Sequence, residues 1–203
     1  FTSFSAIKSN QPVQASGISQ TVTAASNTST GPITSTVINA PDTANSSATL
    51  TYGAIPAMSA FSFTSPASSF TSSGMSVQCG TGTCTGSGAN SSASVTNPLN
   101  AQSPAFAWNY QSFGYWLVTQ SGTTRIAGAI SFGSPTAVSG VPLNGTATYT
   151  GLSGGIYVDQ NGTTFAHAAF MQSTVDFGPA RSVAFSTSNT MIGPVGTTPP
   201  ATS

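Results

Sequence analysis

The sequence predicts an all-β fold: an antiparallel β-barrel or sandwich with an appended N-terminal β-rich region. Three observations carry that expectation. Short runs alternate apolar and polar residues with period two along most of the chain, as half-buried strands do. Glu is missing and no window repeats apolar residues at i, i+3, i+4 and i+7, so helix signals are nearly absent. Turn clusters separate the runs, among them Asn27-Thr28-Ser29-Thr30-Gly31-Pro32, Ala40-Pro41-Asp42 and Gly133-Ser134-Pro135.

Taken in order, strands are expected near residues 3–8, 19–24, 33–39, 48–52, 60–64, 75–79 and 92–96. Most are rich in β-branched or aromatic residues, as in Thr21-Val22-Thr23 or Phe61-Ser62-Phe63. A second group follows near residues 108–119, 125–132, 145–150, 154–159, 165–175 and 181–187. The stretch 145–162 reads as a strand pair in which Ala147 and Tyr149 point inward and Thr146, Thr148 and Thr150 outward. Its closing Asn161-Gly162 is the dipeptide a tight hairpin turn prefers.

Composition separates a Ser/Thr/Ala-rich zone, residues 1–105, from a zone that concentrates both Trp and most Tyr residues and should hold the larger core. The first zone could donate an exchanged arm. Residues 194–203 form a Pro/Thr-rich tail with no strand pattern, read as a linker or extended arm.

Charge is the anomaly. Ordinary domains carry about 25% charged residues, whereas only 3% of this chain is Asp, Glu, Lys or Arg and the formal net charge is zero. Ser, Thr, Gly and Asn take the surface positions, so nothing long-ranged keeps copies of the chain apart. Three basic residues cannot build a phosphate-binding cluster, which argues against nucleic acid as a partner. No apolar run is long enough for a membrane-spanning helix. The chain opens on Phe1, the expected outcome of removing an export signal.

The two cysteines lie in Cys79-Gly80-Thr81-Gly82-Thr83-Cys84, where glycines let a short loop close on itself. A disulfide between Cys79 and Cys84 is expected and places the chain in an oxidising compartment. With His167 the only histidine, the competing reading of a metal site finds no further ligands nearby, and no metal is expected.

Three segments are recognisable as an ordered set: Trp108-Asn109-Tyr110-Gln111-Ser112-Phe113-Gly114-Tyr115-Trp116-Leu117, Ala127-Gly128-Ala129-Ile130-Ser131-Phe132-Gly133, and Val141-Pro142-Leu143-Asn144-Gly145-Thr146-Ala147-Thr148-Tyr149-Thr150-Gly151. With Val175-Asp176-Phe177-Gly178 before Arg181-Ser182-Val183-Ala184-Phe185, they resemble the barrel domain of transferrin-binding protein B and related Gram-negative surface lipoproteins and secreted hemophores. The resemblance spans residues 106–190 and marks 106–193 as the barrel portion. It implies an exported protein at the surface of, or released from, a Gram-negative bacterium. The family's Gly/Phe-rich second half, with its closing Glu-Gly-Gly-type strand, is not found, so the barrel is expected to be incomplete with an open edge strand.

His167, within Thr164-Phe165-Ala166-His167-Ala168-Ala169-Phe170, is the candidate haem ligand that the resemblance suggests, against the plainer reading of a structural or solvent-facing strand histidine. Catalytic machinery is not expected. Ser residues are too abundant for a triad match to mean anything without geometry, and Gly151-Leu152-Ser153-Gly154-Gly155 lacks the spacing of a nucleophile elbow. Three Asp and no Glu give no carboxylate pair for a glycosidase, and Asp42, Asp159 and Asp176 read as turn residues. Trp108, Tyr110, Tyr115 and Trp116 are candidate contact aromatics, most of them expected in the core.

The leading expectation is an exported, non-enzymatic structural protein whose partners are copies of itself, joined through β-strands in a surface filament or layer. It needs no cofactor. The alternative is a monomeric secreted or surface ligand-binding protein, either a hemophore taking haem or a binder of a host protein. A third, weaker reading is an adhesin that stacks aromatics on carbohydrate.

Overall fold

The structure is a computed structural model and describes residues 6–28, 32–80, 82–99, 110–120, 123–134, 136–161 and 163–194. It is nearly all β, as the alternation predicts, with no α-helix among the described residues. Thirteen strands follow one another: β1 (Pro12–Ser26), β2 (Ile33–Ile38), β3 (Asp42–Ala54), β4 (Ala57–Thr64), β5 (Ser69–Thr71), β6 (Val77–Cys79) and β7 (Thr83–Ser87). Then come β8 (Ser91–Thr96), β9 (Gln111–Gln120), β10 (Thr124–Gly133), β11 (Thr146–Val158), β12 (Thr164–Asp176) and β13 (Ser182–Pro194). Two compact units result: Phe1–Ser134 with Val158–Thr163, and Pro135–Tyr157 with Thr164–Ser203.

The larger unit is a ten-stranded antiparallel sheet, nine strands in the order β5-β4-β3-β1-β10-β9-β8-β7-β6 with β2 paired to β1 beside them, curled into a half-barrel. The long strand β1 organises it. One edge pairs with β10 from Gly17 to Ala25, while the other is shared, β3 taking Pro12–Ser19 and β2 taking Val22–Ser26. The break between β2 and β3 falls at Ala40-Pro41, where proline has no N–H to continue a ladder. Asn39 fills the gap, its Nδ2 donating to Thr21 Oγ1 at 2.8 Å.

Alternation decides what the curl encloses. Ala48, Leu50 and Tyr52 of β3 and Phe61 and Phe63 of β4 point inward, with Ser and Thr between them facing out. Phe63 is the centre of the aromatic core: its ring lies 5.6 Å from that of Phe61, 5.5 Å from Trp116, and 6.3 Å from both Phe70 and Phe132. Two glycines admit these rings. A Cβ at Gly114 would overlap the Phe63 ring and one at Gly128 the Trp116 indole, so the inward positions of β9 and β10 are notched where the aromatics cross. The two ends of the curl share this core, since a Cβ placed on Gly86 of β7 would lie 3.5 Å from the Phe61 and Phe70 rings.

The expectation that the aromatic-rich zone after residue 105 holds the larger core is overturned. Among the described residues, only Trp116, Ile130 and Phe132 of the core cluster come from that zone. Burial follows the face a strand presents to an enclosing sheet, and the inward faces of β3, β4 and β8 supply most of it. Residues 12–26 are likewise no free arm; they form the most extensively paired strand of the sheet.

The smaller unit is a three-stranded antiparallel sheet, β11-β12-β13. Residues 145–162 were expected as two strands, yet β11 runs unbroken through Leu152-Ser153 to Val158, and the Asn161 turn joins it to β12. Asp159 closes that turn, its Oδ1 accepting the N–H groups of Asn161 (2.9 Å) and Thr163 (2.7 Å). A β-bulge interrupts the β12–β13 ladder between Ala168 and Phe170, where Asn189 takes the left-handed conformation at φ 51°.

Candidate functional site

The features that a partner could use gather on the smaller sheet. Three relations fix how β11 lies against β12: Thr148 Oγ1 is 3.5 Å from Thr174 Oγ1, the Tyr157 and Phe165 ring centroids are 6.2 Å apart, and a Cβ on Gly155 would meet His167 Cε1 at 2.7 Å. All three fall on a single register. Combined with the β12–β13 pairing of His167 with Ile192, Ser173 with Phe185 and Val175 with Val183, they sort the side chains onto two faces.

One face is hydroxylated. It carries Thr146, Thr148 and Thr150 of β11, Gln172 and Thr174 of β12, and Ser182, Ser186 and Ser188 of β13, all exposed, and Leu152, Phe170 and Met191 lie among them. The other is apolar: Tyr149 and Tyr157 of β11, Phe165, Met171 and Val175 of β12, and Val183, Phe185 and Ile192 of β13. Val183, Phe185 and Ile192 are 68%, 71% and 61% exposed, and Tyr149 and Tyr157 are each 52% exposed. The threonines therefore face out as the sequence predicts, and Ala147 is half-buried, but Tyr149 belongs to an open face instead of a core. Single exposed apolar side chains are ordinary, whereas a contiguous apolar face marks a contact surface.

His167 sits on this apolar face, half-buried, over the notch that Gly155 leaves in β11. The Tyr157–Phe165 ring pair is its neighbour along the strands. Among the described residues no three His, Cys, Asp or Glu side chains come together as a metal site. The three carboxylates that are predicted as turn residues behave as such. Asp42 Oδ1 accepts from the N–H groups of Ala44 and Asn45, Asp159 from Asn161 and Thr163, and Asp176 from Gly178.

The candidate contact aromatics scatter. Trp108 lies outside the described residues; Tyr110 is exposed at the approach to β9, Tyr115 is half-buried, and Trp116 is fully buried in the core of the larger unit. The three described residues form no common patch. The expected disulfide is present: Cys79 and Cys84 are direct cross-strand partners in the β6–β7 hairpin, closed by a bond from Gly80 N to Thr83 O. Among the described residues no helix is long and apolar enough to cross a membrane.

Sequence reasoning missed Tyr157, Val183, Phe185 and Ile192 as contact residues. Their signal is visible in retrospect, because Val183-Ala184-Phe185 alternates and residues 182–194 contain no charge. What hid it was the premise that aromatic residues in a barrel-like segment face an interior.

Comparisons with protein-family models, with curated proteins and with solved structures give no match for this chain.

Proposed function

We propose that this protein is an exported, non-enzymatic structural subunit that self-associates through β-strands into a filament or layer at a bacterial cell surface. The observation that carries the reading is the three-stranded sheet β11-β12-β13, whose outer strands pair with no strand other than β12 among the described residues. Each outer strand is thirteen residues long. Natural edge strands are usually shortened, bulged or charged to prevent pairing with another chain. Here β13 has one bulge and no charged residue, and Arg181 lies just before its first residue. A chain with zero formal net charge adds no repulsion to oppose addition of a second copy.

The Cys79–Cys84 disulfide supports an oxidising location, as export would provide. The resemblance of residues 106–190 to Gram-negative surface proteins is what suggests a Gram-negative source.

A second reading is favoured by one observation, the placement of His167 over Gly155 beside the Tyr157–Phe165 pair. It would make the chain a monomeric ligand-binding protein, with His167 the one histidine able to hold a haem iron. Haem bound to the protein supplies an iron centre and a large apolar disc; the chain would contribute an imidazole and an apolar rim.

The test is imaging and light scattering of the wild type and of a Ser186→Lys/Ser188→Lys variant. Both substitutions lie on the exposed hydroxylated face of the β13 edge and place charge where pairing must occur. Regular polymers in the wild type that vanish in the variant are expected; a wild type that never assembles sinks the reading. A Soret shift on titration with haemin would favour the second reading.

A further inference from the structure

We infer that the apolar face of β11-β12-β13 is the interface of a face-to-face dimer, its occupant the same face of a second copy of this chain. The inference concerns the face of the sheet instead of its edges, and it stands whether or not the edges polymerise.

An amphipathic sheet with one hydroxylated and one apolar face is the usual form of a sheet that packs against another layer. The most exposed large apolar residues of both outer strands, Tyr149, Tyr157, Val183, Phe185 and Ile192, lie on the same side and are more than half exposed, while Leu152, Phe170 and Met191 lie on the other. Something of matching chemistry must cover them.

Three observations select a second copy. First, the face holds no charged side chain, so stacking it on itself buries no unpaired ion. Second, its relief is self-complementary. Large side chains stand at the two ends, Tyr157, Phe165 and Ile192 at one and Tyr149, Val183 and Phe185 at the other. Between them lie Gly151 and Ser153 of β11 and Ala169 of β12, lower ground bounded by His167 over Gly155 and by Met171, where a bulky end can settle. Third, the size suffices. Thirteen residues at about 3.4 Å and three strands at about 4.8 Å give about 600 Å2 per copy, or about 1,200 Å2 for a pair, at the low end of specific protein interfaces. A two-fold axis would make the contact isologous, each copy offering the same residues. Two sheets stacked in this way form a sandwich whose inner faces lie about 10 Å apart.

The experiment uses a Thr148→Lys/Thr150→Lys/Ser186→Lys/Ser188→Lys protein, in which both edges carry charge on the hydroxylated face and the apolar face is unchanged, so that failure of edge pairing and failure of the face contact are read separately. Sedimentation equilibrium should give a dimer. Adding Tyr149→Ser and Phe185→Ser on the apolar face should return it to monomer with an unchanged far-ultraviolet spectrum. A monomer in the edge-blocked protein at every concentration overturns the inference, as does a dimer that survives both face substitutions.

Should the face variant fail to fold, the methionines supply a second reading in the edge-blocked protein alone. Met171 lies on the apolar face and Met191 on the opposite one. Peroxide oxidation of Met171 should slow several-fold as protein concentration rises, while that of Met191 stays constant. Equal concentration dependence at the two methionines, or none at Met171, overturns the dimer.

Discussion

The indole Nε1 of Trp116 donates to the Ser68 hydroxyl at 2.7 Å, and both residues are buried although 48 positions separate them in the chain. Ser68 belongs to a turn that Ser65 closes, with Ser65 Oγ donating to the Ser68 carbonyl at 2.8 Å. The turn thus carries an acceptor to the largest side chain in the core. Ser68→Ala leaves the indole N–H buried and unpaired and should destabilise the protein by about 1–3 kcal/mol, read as a lower denaturant midpoint at unchanged slope. Trp116→Phe in the Ser68→Ala background should add less than it does alone, because the donor has gone.

Gly128 is the direct cross-strand partner of Trp116, and its missing side chain is the space the indole occupies. Gly128→Ala should therefore cost about 1–3 kcal/mol, despite alanine's ordinary fit in a strand, since the core must shift to admit one methyl group. Gly74→Ala is a contrasting control: nothing lies within 4 Å of its site, and its φ of +78° makes any loss a backbone effect. Fluorescence of Trp116 should move in the first variant and not in the second.

Asn97 is a buried hub. Its Oδ1 accepts from the Tyr52 hydroxyl (3.1 Å) and the Leu99 N–H (3.3 Å), and its Nδ2 donates to the Pro56 carbonyl (2.9 Å) and approaches Cys84 Sγ (3.6 Å). Burial also raises the Tyr52 hydroxyl well above its ordinary pKa, so it stays a donor throughout the working range of pH. Asn97→Ala orphans several groups together and should cost on the order of 3 kcal/mol. Tyr52→Phe should cost about 1 kcal/mol, and the double variant less than the sum of the two. Additive losses would show that the two side chains are not coupled.

The Cys79–Cys84 loop spans a sequence separation of only five, so its crosslink removes little freedom from the unfolded chain. Loop-closure entropy gives about 2 kcal/mol, and a Cys79→Ser/Cys84→Ala variant should lose about that much. Cys84 is fully buried, which is why alanine replaces it. Unfolding of the wild type with and without a thiol reductant is the independent check, and an equal midpoint in both would remove the disulfide from the account of stability.

Fold class was legible because alternation is a local signal, and strands such as β4 and β10 match it nearly residue for residue. β5 and β7 were not foreseen. They are three and five residues long and rich in Ser, Thr and Gly, so only their neighbours in the sheet hold them extended. The Asn97 hub could not be read either, since its partners Tyr52 and Pro56 lie 45 and 41 residues away and polar pairing leaves no periodic trace. The glycines in Phe113-Gly114-Tyr115 and Ala127-Gly128-Ala129 were noticed as motif residues. Their reason, room for the Phe63 and Trp116 rings, needed the register of neighbouring strands. The apolar face of β11-β12-β13 was legible as alternation, but whether a face is enclosed depends on how far its sheet extends, and no strand encodes that.

Asp42 gives the protein a pH dependence with a definite sign. Its carboxylate accepts first from the Asn45 N–H at 2.7 Å, then from the Ser46 hydroxyl, the Asn45 amide and the Ala44 N–H, and these bonds hold its pKa below the ordinary value of 3.8. Ser46 passes the link inward, sharing a 2.7 Å hydrogen bond with Ser19 of β1. A folded pKa below the unfolded one means that the contribution is complete above the unfolded value and is lost as pH falls through the folded value. Stability should therefore decline on the acid side of 3.8, where the unfolded chain takes up the proton first. In Asp42→Asn that part of the decline should disappear, leaving a flatter curve of denaturant midpoint against pH, because Asp159 and Asp176 are common to both proteins. Parallel curves for the two proteins would show that the Asp42 bonds contribute nothing to folding.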